Sequence, residues 1–233
     1  MTTTATVAAS RLLVDRIGAR VQHDVPLAAM TTYRVGGDAA MFVEVESLED
    51  LAAIAEVRAE TGIPVLVVGR GSNMLVADGG FAGIALSVAG FADHIELPGD
   101  EVVAGAERVV TAGGGVSLPV LARRTAAASL TGFEWAVGVP GSIGGAVRMN
   151  AGGHGSDMAA CLIDVSVYDM NAPAAGLQRL PAASLGLRFR ASDLAPAHIV
   201  HEARLRLSAG DRERAEQELS EIVRWRRENQ PGG

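Results

Sequence analysis

The sequence predicts a mixed α+β fold, and three observations predict it: a strand, helix, strand unit early in the chain, two glycine-rich segments about 60 residues apart, and a charged amphipathic helix near the end. With 233 residues, 48% of them hydrophobic, the chain can bury one large core or two small ones, so disorder is not expected.

Taken in order, residues 1–10 are rich in Thr and Ala and read as a flexible tail, and residues 11–21 as a loose helix. Residues 26–37 read as extended chain closed by glycine. Residues 41–45 read as a strand, and Ser47 with Asp50 three positions on reads as a capping box. The helix that follows, over 48–61, has Leu51, Ile54, Ala55 and Val57 at helical spacing, and Gly62 ends it. Residues 64–68 are a short apolar run suited to a strand buried on both faces. Strand-like runs at 101–104 and 108–112 come next, then a helix capped by Ser117 with Pro119 in its first turn. From 132 to 155 glycine is too dense for a helix interior, and the segment is too apolar for a linker. Residues 161–170 and 198–207 read as strands. Residues 211–229 read as a helix with Leu219, Ile222, Val223 and Trp225 on or near its buried side.

Charge and composition remove several classes of function. A formal net charge of -7 argues against nucleic acid and against anionic membrane as partners. All twenty basic side chains are Arg, and without Lys neither a Walker-type phosphate lysine nor a Schiff base is available. No metal site is expected. Cys161 stands alone, so no intrachain disulfide can form, and it reads as a small buried apolar residue. The start of the chain lacks the layout of a secretory signal, and the most apolar stretch, residues 81–92, falls short of the roughly 20 residues that a membrane span requires. A cytoplasmic protein is expected.

The glycine segments carry the chemistry. Gly69-Arg70-Gly71-Ser72-Asn73 follows an apolar strand, so its backbone N–H groups can converge on one anion while Ser72 and Asn73 add side-chain hydrogen bonds. It lacks the third glycine and the following helix of a Rossmann fingerprint. The second segment, residues 138–152, places Pro, Ser and Asn among its glycines, where close backbone approach and hydrogen bonding are both useful. Two such loops suit a long ligand with a diphosphate and a flat ring system, and FAD contains both.

These residues resemble the UDP-N-acetylenolpyruvoylglucosamine reductase family, from about Val25 to the last residue. Four stretches carry the resemblance. Thr31-Thr32-Tyr33-Arg34-Val35-Gly36-Gly37 is similar to the entry into the family's flavin domain, and Gly69, Arg70, Gly71, Ser72, Asn73 and Met74 to its diphosphate loop. Gly138, Pro140, Gly141, Ser142, Gly144, Gly145, Asn150 and Gly152 are similar to its long flavin-binding segment, and Leu187-Arg188-Phe189-Arg190-Ala191-Ser192 to its arginine motif.

The resemblance implies a two-lobed FAD-binding fold of the vanillyl-alcohol-oxidase type. Its parts would be a tail and first helix over 1–20, one lobe over 21–88, a second over 89–208 and the start of a substrate domain over 209–233. It also implies non-covalent FAD, since the first loop has no His to attach it, with NADPH as co-substrate. The substrate would be the enolpyruvyl ether of UDP-N-acetylglucosamine, reduced during peptidoglycan precursor synthesis. Arg190 would be the catalytic cation facing the substrate carboxylate. Two departures bear on activity. Phe189 stands where the family has Tyr, and the chain stops before the family's proton-donating Ser and its later Glu, so the general acid has no assigned residue and weak turnover is expected. A flavin-binding module without catalysis and an oxidase on the same scaffold are the rival readings.

Overall fold

The computed structural model describes residues 4–99 and 105–230, and the chain forms two compact units. Unit 1 comprises Met1–Phe91 with Tyr168–Gln178 and Ala195–Ile199, and unit 2 comprises Ala92–Val167, Arg179–Leu194 and Val200–Gly233. The strand expected at 101–104 lies outside the described residues.

Unit 1 holds α1 (Thr4–Ile17), β1 (Gln22–Pro26), β2 (Asp38–Glu44), α2 (Leu48–Thr61), β3 (Val65–Val67) and β4 (Phe81–Ser87). Its sheet runs β1-β2-β4-β3, with β1 antiparallel to β2 and the other two pairings parallel. α1 corrects the expectation of a flexible tail over the described part of residues 1–10. Thr6, Ala9, Leu13 and Ile17 recur at helical spacing and are buried, so a polar-looking composition still supplies one packing face. β3 is a second correction, since it lies at a sheet edge with its residues half-buried, whereas a strand covered on both faces was expected.

α2 is built as its sequence implies. Ser47 Oγ accepts from the Asp50 N–H at 3.3 Å, and Gly62, at φ 69°, returns its N–H to Arg58 O at 2.9 Å. Leu51 and Ile54 are fully buried, which contributes about 1.5–3 kcal/mol each. Asp50 does more than cap. Its carboxylate takes two hydrogen bonds from Arg20, both 2.6 Å, and one from the Glu46 N–H at 2.9 Å. The side chain is 6% exposed, and Arg20 holds its carboxyl below the usual range against the opposing effect of burial.

Unit 2 contains β5 (Ile95–Glu96), β6 (Glu107–Gly113), α3 (Leu118–Ala127), β7 (Leu130–Thr131), α4 (Ile143–Met149), β8 (Gly152–Gly153) and β9 (Ser156–Asp157), and α5 (Arg212–Asn229) near its end. Three further strands, β10 (Leu162–Asp169), β11 (Leu177–Pro181) and β12 (His198–Ala209), complete a sheet ordered β11-β10-β12-β6-β5, with β7 beside β12. Val165, Val167, Ala203, Leu205 and Leu207 turn into the core, where α3 adds Leu118, Leu121 and Ala122. The opposite face of the strands carries an ionic ladder: Asp164 receives Arg204 in a forked contact and Arg179 at 2.7 Å, and Arg179 reaches on to Glu202 at 2.9 Å. Arg204, more than Arg179, holds the Asp164 carboxyl below its ordinary range.

α5 was expected to open a separate domain. Ala215, Leu219 and Ile222 instead join the buried core of unit 2, so this helix belongs to that unit. α4 is also a correction, since a helix forms inside a segment judged too rich in glycine for one. Ser142 Oγ caps it by accepting from the Gly145 N–H at 3.4 Å, and Asn150 ends it in the left-handed conformation at φ 39°. Ser117 occupies the N-cap position of α3, but its side chain makes no capping hydrogen bond.

Asp50→Asn is expected to destabilise the protein by roughly 1–2 kcal/mol at neutral pH, because the charge-assisted bonds to a partly exposed Arg20 weaken. A carboxyl depressed in the folded state stabilises fully above the unfolded pKa and loses that contribution as pH falls through the folded one. Urea melts should therefore show the gap between wild type and Asp50→Asn closing below about pH 4. Cys161 is 5% exposed, and burial pushes its thiol up to about 12. Native protein at pH 8 is expected to resist a thiol reagent that labels it stoichiometrically in denaturant.

Candidate functional site

In unit 1 the candidate site is the loop that leaves β3. Gly71 is buried, adopts φ 62° and lies against the Met30 backbone so closely that a Cβ would stand 1.8 Å from the Met30 carbonyl oxygen. Its own carbonyl accepts from Thr32 at 3.3 Å and from Met74 at 3.4 Å. The space that Gly71 leaves open is taken by the protein's own chain. Met74 is likewise an anchor, packed against the cluster of Leu27, Ala39, Phe42, Val68 and Ala85.

With the loop pinned in this way, the N–H groups of Gly69, Arg70, Gly71 and Asn73 donate to no acceptor among the described residues. Arg70 and Asn73 are exposed and Ser72 is half-buried. Unpaired backbone donors in a fixed turn form an anion-binding concavity. The Thr31–Gly37 stretch supports the loop from beneath. The Gly37 N–H reaches Ala77 O at 2.9 Å, and a Cβ on Gly37 would meet Asp78 O at 2.3 Å.

In unit 2 the glycine segment is mostly occupied with its own architecture. The Gly144 N–H donates to Gly114 O at 2.8 Å, and the Gly145 N–H takes the Ser142 cap. Asn150 donates through Nδ2 to Asp157 at 3.0 Å and accepts from the Ala159 N–H at 2.9 Å, so both ends of its amide are used. Gly152 pairs with Asp157 in the β8–β9 hairpin, and Gly138 lets Ile222 and His154 approach, a Cβ there standing 2.9 Å from Ile222 Cγ2. The free donors are fewer than expected: the N–H groups of Gly141, at φ 144°, and Ser142 have no acceptor among the described residues. Pro140 precedes them and is exposed.

Arg190 lies beside this segment. A cleft of about 460 Å³ is lined by Phe189 and Arg190 on one side and by Asn150, Gly152, Gly153 and Asp157 among others. Arg190 is exposed, holds φ 57°, and makes no ion pair among the described residues; its guanidinium sits 5.9 Å from the centroid of the Phe189 ring. The neighbouring Arg188 is the residue that pairs with Asp193, at 2.5 Å. Ser192 Oγ donates to Arg148 O at 2.8 Å, and Arg148 donates to Leu194 O at 2.5 Å, which fixes the Arg190 hairpin to the end of α4. The sequence reading had no role for Arg148. Its place in the last turn of a helix hidden among glycines left no signal to find it by.

The donor set therefore fits a diphosphate in unit 1, while unit 2 offers a narrow pair of N–H groups where α4 begins and a cleft bearing Arg190 where it ends. Comparison with known proteins gives the same cofactor class. A protein-family model described as an FAD binding domain matches residues 39–172. The UDP-N-acetylenolpyruvoylglucosamine reductase of Paramagnetospirillum magneticum is 38% identical over 221 residues, covering 95% of this chain and 68% of that protein. The protein of the same name from Bacillus subtilis is 34% identical, covering 94% of this chain and 69% of its own length. The solved structure of that reductase from Thermus caldophilus superposes with a TM-score of 0.74 at 32% identity, over 91% of this chain and 71% of the other. A vanillyl-alcohol-oxidase-type flavoprotein from Myceliophthora thermophila, 10% identical with a TM-score of 0.61 over 89% of this chain and 48% of its own, shares the fold alone. On this identity and coverage, the chain belongs to the UDP-N-acetylenolpyruvoylglucosamine reductase family and carries an FAD-binding domain, whose fold the vanillyl-alcohol-oxidase-type flavoprotein shares.

Proposed function

We propose that this chain binds FAD non-covalently and acts as the NADPH-dependent reductase of the enolpyruvyl ether of UDP-N-acetylglucosamine, a step of peptidoglycan precursor synthesis. The observation that carries this reading is the set of unpaired N–H donors at Gly69, Arg70, Gly71 and Asn73, inside the residues matched by the FAD-binding family. In this reading those donors hold the diphosphate, with Ser72 and the Asn73 amide beside them. Gly141 and Ser142 offer their N–H groups to the ring system. Pro140, Gly138, Gly144, Gly145, Asn150 and Gly152 give that segment its shape.

Bound FAD supplies a two-electron carrier able to accept hydride from NADPH and pass it to the enolpyruvyl double bond. The chain's own part is to bind and orient. Arg190 presents a cation that pairs with no carboxylate among the described residues, suited to the substrate carboxylate and to the negative charge that grows beside it. Phe189, 90% exposed, supplies a ring face without the hydroxyl of the family's usual Tyr. Asp157, which lines the same cleft, accepts from the Ala160 N–H at 3.2 Å and from Asn150 Nδ2 at 3.0 Å and makes no ion pair with Arg190 among the described residues. No helix among the described residues is long and apolar enough to cross a membrane.

Three measurements test the reading. Purified protein is expected to take up FAD with one site per chain and to release it into the supernatant on acid precipitation. Absence of binding removes the reading, and colour kept in the pellet contradicts the non-covalent attachment. Gly71→Val is expected to weaken FAD binding at least tenfold by lifting the loop off Met30, whereas Cys161→Ala leaves it within about twofold. Anaerobic NADPH reduction followed by the enolpyruvyl substrate should give substrate-dependent reoxidation that falls about 10²–10³-fold in Arg190→Gln with FAD affinity unchanged. Fast reoxidation by air alone favours an oxidase instead.

A further inference from the structure

Away from the glycine segments, α3 and α5 of unit 2 border a groove of about 650 Å³. Arg123 from α3 and Arg224 and Arg227 from α5 line it, over a floor of Val137, Leu219 and Val223. Three guanidinium groups thus gather in one groove of a chain whose formal charge is -7. None of the three has an ion-pair partner among the described residues, and Arg123 donates only to the backbone of Pro119, at 3.0 Å. Of the carboxylates at the rim, Glu216 already takes Arg212 at 2.7 Å, which leaves Glu228 as the counter-charge against three cations.

Like charges drawn from two helices repel, and an anion seated among them relieves that repulsion. Arg presents paired N–H donors that match phosphate oxygens two at a time, and all three side chains are exposed with most of their donors unused. The volume falls in the range of small-molecule sites, roughly 300–1,000 Å³, and the aliphatic floor suits a less polar portion of the same ligand. We propose that the α3–α5 groove is a second binding site, for a phosphorylated small molecule, with Arg123, Arg224 and Arg227 holding the phosphate. The site is separate from the Arg190 cleft and does not depend on the reductase reading.

The test is calorimetric titration of inorganic pyrophosphate into protein held in excess FAD, so that the loop of residues 69–74 is not the site measured. Saturable one-to-one binding is expected, weakened at least about tenfold in Arg123→Gln/Arg224→Gln and unchanged in Arg11→Gln, which removes one charge from α1 of unit 1. Arg224→Lys, which keeps the charge and loses the fork, should fall between the two. Unchanged circular dichroism and melting of the variants excludes loss of fold as the cause. The proposal is overturned by the absence of saturation, by an equal loss in Arg11→Gln, or by full binding in the double variant. Succinate binding as tightly as pyrophosphate would overturn the assignment to phosphate.

Discussion

Contact between two stretches of backbone with no side chain between them is the constraint on which the unit-1 site depends. The chain around residues 69–80 is laid directly on residues 30–38: Gly71 against the Met30 carbonyl, Gly37 against Asp78, and Gly80 against Asp38, where a Cβ would stand 2.1 Å from the carbonyl oxygen. At each point a methyl group would force the two apart. Once seated, the loop has used its carbonyl at Gly71 for internal bonds, while the N–H groups of Gly69, Arg70, Gly71 and Asn73 donate to no acceptor among the described residues, an asymmetry that suits an anion.

The second glycine segment solves a different problem with the same residue. Its glycines let α4 settle against Gly114 and let α5 come close at Gly138, while the Ser142 hydroxyl, accepting from the Gly145 N–H, and the Asn150 N–H, donating to Val147 O, mark the helix ends. In the stretch similar to the family's flavin segment the glycines therefore serve packing for the most part, and Gly141 and Ser142 keep N–H groups without an acceptor among the described residues.

What was legible in the sequence follows from this. α2 could be read from end to end because Ser47, Gly62 and the periodic apolar residues all state the same boundary. β10, β12 and α5 followed from plain periodicity. The first turns of α1, before residue 11, were missed because small residues such as Thr6 and Ala9 fill their buried face, and a composition-based reading weighs them as polar or neutral. α4 was missed because its glycine content opposes helix propensity, and packing against its neighbours outweighs that cost. Glycine density marks both loops as candidate sites, yet a glycine that admits a ligand and one that admits another strand of the same chain look identical in one dimension. Arg190 could be located by its motif, whereas its support by Arg148, 42 positions earlier, is a tertiary fact.

The attachment of Ser192 to the end of α4 has a mechanical side. An exposed ion pair such as Arg188–Asp193 is a loose strut in water. The Ser192 and Arg148 bonds instead hang the hairpin from a helix whose other end is bolted to Gly114. The aim of Arg190 is therefore inherited from α4 much as a gun-sight inherits its line from the barrel. Small residues such as Gly114 and Gly144 that let the helix seat are part of that alignment, although neither lines the cleft beside Arg190.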